Sequence, residues 1–469
     1  MSTGSGRVGV LFQGRAAEPS ASSSAAITGM TTAREVSCHE HSPLGRLPTR
    51  HLSPNEGECI KVFCGIDWSD DHHDIAVVDA DGRIVVTERI GNDLVGFARL
   101  VELLADAGET ADDLVPVAIE TSKGLLVAAL AASGRTVYPI NPLSTSRYRD
   151  RHRTTRAKSD TSDAVVLANI LRTDRHAHRP LPDDSELVRS MRVLTRAQQD
   201  AVGDRMRMSN RLRAVLKQYF PAAIAAFDRG GKHRLDSAAC RTILAASPTP
   251  DAAARLTLAQ LQSLLRRAGR SRGIDAEAAT LQRLLRGEHL HQPAAVADAM
   301  GVQLRGLIRQ LDAICDTVDE LTARVEAMFV EHRQASIITS FPGAGALTGA
   351  RLLAEIGDDP NRFADGRALK AYVGAAPVTR ASGKSHWVGA RRSKNDRLAA
   401  AGYVWALAAI RHDSAARAHY QRRRDLGDHH VAALRNLFNK LVGKLHHCLS
   451  TGQTYDPSIA FARPIATAA

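Results

Sequence analysis

The sequence predicts an α/β domain at the N-terminal side, a long helical region after it, and a mainly α-helical C-terminal part. Three observations predict this. Between about residues 60 and 91, three short apolar runs are separated by turn residues, the pattern of hairpin strands. From there to about residue 141, helical patterns alternate with strand-like runs, the sign of parallel pairing through crossovers. From about residue 176 onward, apolar residues recur every three or four positions over stretches longer than any strand.

In the first region "VFCGID" reads as a buried strand, "HDIAVVDA" as a second and "RIVVTERI" as a third, with Asp81-Gly82 as a hairpin turn. "LVGFARLVELLADAG" repeats leucine and valine at helical spacing. "LVPVAIET" reads as a fourth strand, "SKGLLVAALAASG" as a helix closed by Gly134, and "RTVYPINP" as a fifth strand. Three hairpin strands followed by alternating helix and strand is the order of a ribonuclease H-like domain. Right-handed crossovers then set strands one, four and five side by side and parallel.

The helical region, about residues 176–335, opens with "LVRSMRVLTRAQQDAVGDRMRMSNRLRAVLKQYF", one long basic helix. Leu304, Leu307, Leu311, Ile314, Val318, Leu321, Val325 and Met328 form a heptad seam, a coiled-coil contact made either within the chain or between chains. In "SIITSFPGAGALTGARLLAEIGD" a Pro-Gly-x-Gly turn between helices resembles a helix-hairpin-helix. There Gly343 and Gly345 would let backbone N–H groups approach a phosphate, or would simply close a tight turn. A closing helix, "HVAALRNLFNKLVGKLHHCL", ends the C-terminal domain at about residue 455, before a tail over 456–469. Residues 1–58 are rich in Ser, Gly, Ala, Pro and Arg without periodicity and read as a disordered extension, and the α/β domain covers about 59–175.

The chain of 469 residues carries a formal charge of +12, a balance that favours polyanionic partners. The charge is concentrated: Arg147, Arg149, Arg151, Arg153, Arg156 and Lys158 are opposed locally only by Asp150. The six cysteines are scattered, suit a reducing cytoplasm and form no zinc-finger pattern. No apolar stretch has the length of a membrane span, and no signal-peptide pattern opens the chain.

Two aspartates, Asp160 and Asp163, follow the basic run in "RTTRAKSDTSDAVVLANIL". At i and i+3 they share one face of a first helical turn, with Ser159 placed as the N-cap. Asp67 ends strand one and Glu120 ends strand four, and carboxyl ends of parallel neighbours border one crevice. Singly, each acid has an ordinary explanation: a turn, a pair with Lys123, a helix dipole. Jointly they imply cations, because two like charges 4 Å apart repel by about 4 kcal/mol at an effective dielectric near 20. Hard oxygen ligands suit Mg²⁺ or Mn²⁺, and two such ions clamp both oxygens of a phosphodiester displacement. The nearby Asp70, Asp71, His72, His73 and Asp74 read as a solvated loop.

The stretches "GIDWSDDHHDIAVV", "AIETSKG", "NPLSTSRYRDRHRTTRAKSDTSDAVVLA" and "SFPGAGALTGARLLAEIGDDPNRFADGRALKAYVGAAPVTRASGK" together resemble the IS110 family of insertion-sequence transposases, relatives of the Piv invertases. The resemblance spans roughly residues 60–455. It implies a RuvC-like domain with catalytic carboxylates at Asp67, Glu120, Asp160 and Asp163. It also implies a serine that attacks DNA phosphate, which in "TRASGKSHW" falls on Ser382, with Ser385 and Ser393 as local rivals. Arg380, Lys384, Arg391, Arg392, Lys394 and Arg397 surround that serine with charge suited to phosphate. The family's Gly-Asn pair is replaced here by "SKND" around Asn395. By the same resemblance, a DNA transposase and recombinase of the bacterial cytoplasm, associated with the nucleoid, is implied. Its partners are element-end and target DNA, a guide RNA encoded by the element, and further copies of itself in a dimer or tetramer. Other readings stay open: a RuvC-like, metal-dependent structure-selective endonuclease such as a junction resolvase, a Piv-like site-specific DNA invertase, and a non-catalytic nucleic-acid scaffold.

Overall fold

The computed structural model describes residues 62–152, 160–228, 230, 231, 234–383 and 385–457, with side chains not described at 152, 160 and 161. The expectations for residues 1–58, for Arg153, Arg156, Lys158 and Lys384, for the Ser159 cap and for nearly all of the 456–469 tail therefore lie outside the described residues.

Strands β1 (Val62–Trp68), β2 (His72–Asp79) and β3 (Ile84–Gly91) form an antiparallel meander. Helix α1 (Leu94–Asp106) leads to β4 (Val117–Ile119), and α2 (Leu125–Ala132) leads to β5 (Val137–Pro139). The sheet order is β3-β2-β1-β4-β5, with β1, β4 and β5 parallel, as right-handed crossovers require. Side chains alternate between its two covered faces. Cys64, Ile66, Ile75, Val117 and Ile119 pack with Leu100, Leu104 and Leu130 of α1 and α2. Phe63, Val78, Ala118 and Tyr138 pack on the other face against Val166, Leu167 and Ile170 of α4 (Asp160–Asp174). Between β5 and α4 lies α3 (Pro142–His152), so the first half of the basic run is helical.

Helix α5 (Glu186–Tyr219) starts on Ser185, whose side chain accepts from the Val188 N–H. Short helices α6 (Pro221–Ala226), α7 (Ala238–Ala246), α8 (Pro250–Ala254), α9 (Leu258–Arg267) and α10 (Ile274–Leu285) precede the long α11 (Ala294–Glu331). The heptad seam of α11 packs on α5 of the same chain. Leu304, Leu307 and Leu311 join Leu212, Val215 and Tyr219 in one core, while Val325 and Phe329 join Val188 and Met191 in another. Between the cores, Gln198 of α5 donates to Thr322 of α11 at 3.0 Å.

The C-terminal part contains α12 (Ala335–Thr339), α13 (Ala346–Ile356), α14 (Gly366–Tyr372), a hairpin of β6 (Val378–Ser382) and β7 (Ser385–Gly389), α15 (Asp396–His412), α16 (Ser414–Asp425) and α17 (His430–Thr451). Its core is centred on fully buried Trp405, whose ring meets Phe341 and Phe438 edge-on and whose indole N–H donates to the Pro342 carbonyl at 3.1 Å. The segment "VTRASGKSHWV" forms this antiparallel hairpin. Among the described residues no helix is long and apolar enough to cross a membrane.

Candidate functional site

The site begins with a missing side chain. Gly65 lies in the middle of β1, and a Cβ there would fall 2.1 Å from the Ala164 carbonyl oxygen and 2.4 Å from the Ala168 amide nitrogen. Only glycine lets α4 lie this close, so the first turn of α4 is drawn down onto the carboxyl half of β1. Asp67 is two residues beyond Gly65 and, by alternation, shares its face with α4. β1 and β4 register Ile66 against Ile119. Glu120, one residue past β4 and two past Ala118, therefore continues that same face beside Asp67. Asp163 precedes Ala164 on α4 and is 5% exposed. The backbone of Asp160 opens α4 one turn earlier, but its side chain lies outside the described set.

One carboxylate on this face was misread from sequence. Asp74 is not in a solvated loop; it lies in β2, is 6% exposed and is registered directly opposite Asp67. Arg89 of β3, registered opposite Asp74, grips both of its oxygens at 3.1 and 2.9 Å. A row thus runs across three strands, Arg89, Asp74 and Asp67, with Glu120 one residue beyond β4. His73, which precedes Asp74 in β2, points to the opposite face, and burial lowers its pKa from the ordinary histidine value. Cys64, on that opposite face too, has its thiol pushed up to about 12 by burial, which leaves it neutral and no nucleophile.

The basic run turns out to have two sides. Arg147 and Arg151 are exposed on α3. Arg149, expected to face nucleic acid, instead turns inward, and its Nη2 donates to Asp163 Oδ1. Among the described residues no three of His, Cys, Asp or Glu lie close enough to hold a metal ion, and the Asp160 side chain is not among them. The donor chemistry still fits a hard divalent cation: Asp67, Glu120 and Asp163 offer only oxygens, and a guanidinium already stands against the buried Asp163 where positive charge is needed.

Ser382 ends β6 and pairs in register with Ser385 across a turn that begins with Gly383 at φ +55°. From Thr379 to Val388 every described side chain of the hairpin is exposed, Ser382 included. The hairpin projects Arg380 over the Trp387 ring at 5.8 Å, and Trp387 is 53% exposed. Ser382 is not packed among the carboxylates. Arg392 is exposed nearby, whereas Arg391 is half-buried and its Nε has no hydrogen-bond partner among the described residues.

The two glycines of the Pro-Gly-x-Gly turn separate in role. Gly343, at φ +75°, is filled by α15: a Cβ would fall 2.7 Å from the Ala408 Cβ. The missing side chain makes room for α15 to pack there. Gly345 precedes α13 with open space beside it. In the "SKND" segment, Asn395 caps α15 by accepting from the Leu398 N–H at 2.9 Å. Its amide also donates to Glu355 at 2.7 Å and to the Tyr372 hydroxyl at 2.9 Å. Arg196 of α5 holds Glu355 through two bonds of 2.7 and 2.9 Å. Burial pushes the Glu355 pKa up, but Arg196 and Asn395 together bring it below the ordinary value.

Comparison with known proteins places this geometry in a lineage. Residues 64–221 match a family described as transposase, and residues 335–421 match the transposase IS116/IS110/IS902 family. The mini-circle putative transposase for IS117 of Streptomyces coelicolor is 53% identical over 88% of this chain and 99% of that protein. The insertion element IS900 uncharacterized 42 kDa protein of Mycobacterium paratuberculosis is 31% identical over 86% of this chain and 98% of its own length. An insertion element IS116 uncharacterized protein of Streptomyces clavuligerus is 29% identical over 85% of this chain. The first match alone, spanning both family regions and nearly the whole relative, settles membership: the chain belongs to the IS116/IS110/IS902 family of transposases.

Proposed function

We propose that this insertion-sequence transposase is a divalent-metal-dependent DNA recombinase with a RuvC-like N-terminal domain and a serine nucleophile. The observation that supports the reading is the close seating of α4, whose first turn carries Asp163, on Gly65 of β1, the strand that ends near Asp67. Asp67, Glu120, Asp160 and Asp163 would hold Mg²⁺ or Mn²⁺. The ion, when bound, supplies Lewis-acid stabilisation of the charge that develops on phosphate oxygens.

The chain's own groups do the rest. The Ser382 hydroxyl attacks a DNA phosphorus, one phosphodiester P–O bond breaks, and the departing sugar oxygen takes up a proton. The phosphoserine keeps the bond energy, so a sugar hydroxyl of another strand can attack, re-form the phosphodiester and return the proton to serine. Arg380 and Arg392 bind phosphate oxygens beside the serine. Ser382 stands exposed on its hairpin, a placement suited to delivery into a carboxylate group on another copy in an oligomer. Exposed Arg147 and Arg151 on α3 suit a nucleic-acid backbone, including that of an element-encoded guide RNA.

The test is incubation with element-end DNA, the adjoining transcript and Mg²⁺, followed by denaturation. A covalent DNA–protein adduct mapped to Ser382 is expected, and Ser382→Ala is expected to lose both adduct and strand exchange. Unchanged cleavage by Ser382→Ala would instead identify a water-activating nuclease. DNA reactions unaffected by Asp163→Asn and independent of Mg²⁺ would identify a scaffold.

A further inference from the structure

We propose that Arg149 is the resident counter-cation of the carboxylate site, which a divalent ion displaces, and that the released guanidinium couples ion binding to nucleic-acid binding. The inference rests on the reading of Asp163 as an ion ligand.

Asp163 is nearly sealed from solvent, and Arg149 Nη2 donates to its Oδ1. A buried carboxylate cannot remain ionised without a positive partner, and here α3 supplies one from its own sequence. The guanidinium is poorly satisfied in that role. Its side chain is 20% exposed, and its Nε is buried without a hydrogen-bond partner among the described residues. An arginine that is bound on one side and unsatisfied on the other can be exchanged for a better cation.

Where it goes is set by helix geometry. Arg147 and Arg151 lie two residues to either side, about 200° around α3, and both are exposed. A divalent ion on Asp163 repels Arg149, and the long side chain then swings toward solvent on its own face of α3, opposite those two arginines and beside the carboxylates. Nucleic acid gains a phosphate-binding group on the carboxylate side of α3, separate from Arg147 and Arg151. Linkage runs in both directions: nucleic acid that captures Arg149 uncovers Asp163 for the ion by the same factor that the ion adds to nucleic-acid affinity. Ion and substrate would thus enter together, and the protein without nucleic acid would hold its carboxylates neutralised.

The test uses the full chain. Mn²⁺ binding is measured by electron paramagnetic resonance without DNA, and affinity for a short duplex is measured with and without Ca²⁺ at constant ionic strength. Wild-type protein should bind duplex about fivefold tighter or more with Ca²⁺. Arg149→Gln should bind Mn²⁺ more tightly than wild type and lose the Ca²⁺ enhancement. Arg149→Lys, which keeps the charge, should retain wild-type Mn²⁺ affinity and shows that the fold tolerates change at this position. Arg147→Gln should weaken duplex binding equally with and without Ca²⁺. If Asp163→Asn loses Mn²⁺ while Arg149→Gln binds Mn²⁺ and duplex as wild type does, the coupling is overturned and the ligand reading stands. If Asp163→Asn binds Mn²⁺ as wild type does, both are overturned.

Discussion

Gly65 of β1 and Ala164 of α4 meet so closely that a methyl group on the glycine would lie 2.1 Å from the alanine carbonyl oxygen. This contact seats the first half of α4 closely on β1. Replacing Gly65 with alanine forces α4 away, at a cost of about 1–3 kcal/mol as for other overpacked sites. The stability loss is read by urea denaturation. Mn²⁺ affinity should fall further than that loss explains, because the carboxylates separate even in the folded fraction.

The Arg196–Glu355 pair fastens α5 to α13, and Asn395 adds the start of α15. Arg196→Met would strand Glu355, which is 2% exposed, as an uncompensated buried charge. A loss of about 3 kcal/mol is expected at pH 7. In the intact protein Glu355 has a folded-state pKa below its unfolded value, so its contribution is present above the ordinary 4.5 and lost as pH falls further. The difference between wild type and Arg196→Met in chemical denaturation should therefore narrow below about pH 4.5.

His419 of α16 is buried, and its Nε2 lies 2.9 Å from Asn436 Oδ1. Burial lowers its pKa below the ordinary 6.5, against the pull of Asn436, so the unfolded chain binds a proton that the native chain refuses. Stability from this residue is complete above pH 6.5 and declines as pH falls. His419→Gln should flatten the fall in thermal midpoint between about pH 6.5 and 5.

The hairpin side chains carry little of the fold. Ser382→Ala and Trp387→Ala should each change stability by no more than about 0.5 kcal/mol, as exposed substitutions do. Trp387→Ala should nonetheless weaken DNA binding by about tenfold at fixed salt, the size of one lost base–aromatic stack. Fluorescence anisotropy with a labelled strand checks this.

The five-stranded order was legible because apolar runs, turn residues and crossover handedness are local or follow a general rule. The hairpin at Ser382 was not. With every described side chain from Thr379 to Val388 exposed, neither face has an apolar stripe for periodicity to detect. Helix α3 escaped for a related reason, since "LSTSRYRDRH" carries charge in place of a repeating apolar face. Asp74 looked like part of a solvated charge run, and its burial arises from pairing with β1 and β3 and from the Arg89 contact, which no local signal announces. Gly343 was recognisable as a turn residue, but α15, which needs the space, lies some sixty positions downstream. Acidic positions on the strand ends and on α4 could be named from sequence. The arginines that hold two of the buried acids, Arg89 and Arg149, could be placed only once the chain had folded around them.

Helix α5 belongs to both helical cores at once, entering the C-terminal one through Val188 and Met191 and the other through Leu212, Leu216 and Tyr219. At 34 residues it is a spine about 50 Å long. Neither core can melt while the spine keeps its shape, and neither can keep its packing once the spine frays. Calorimetry should record these two regions as a single endotherm, and the shared helix would carry a strain applied at one end to the other as a rigid lever.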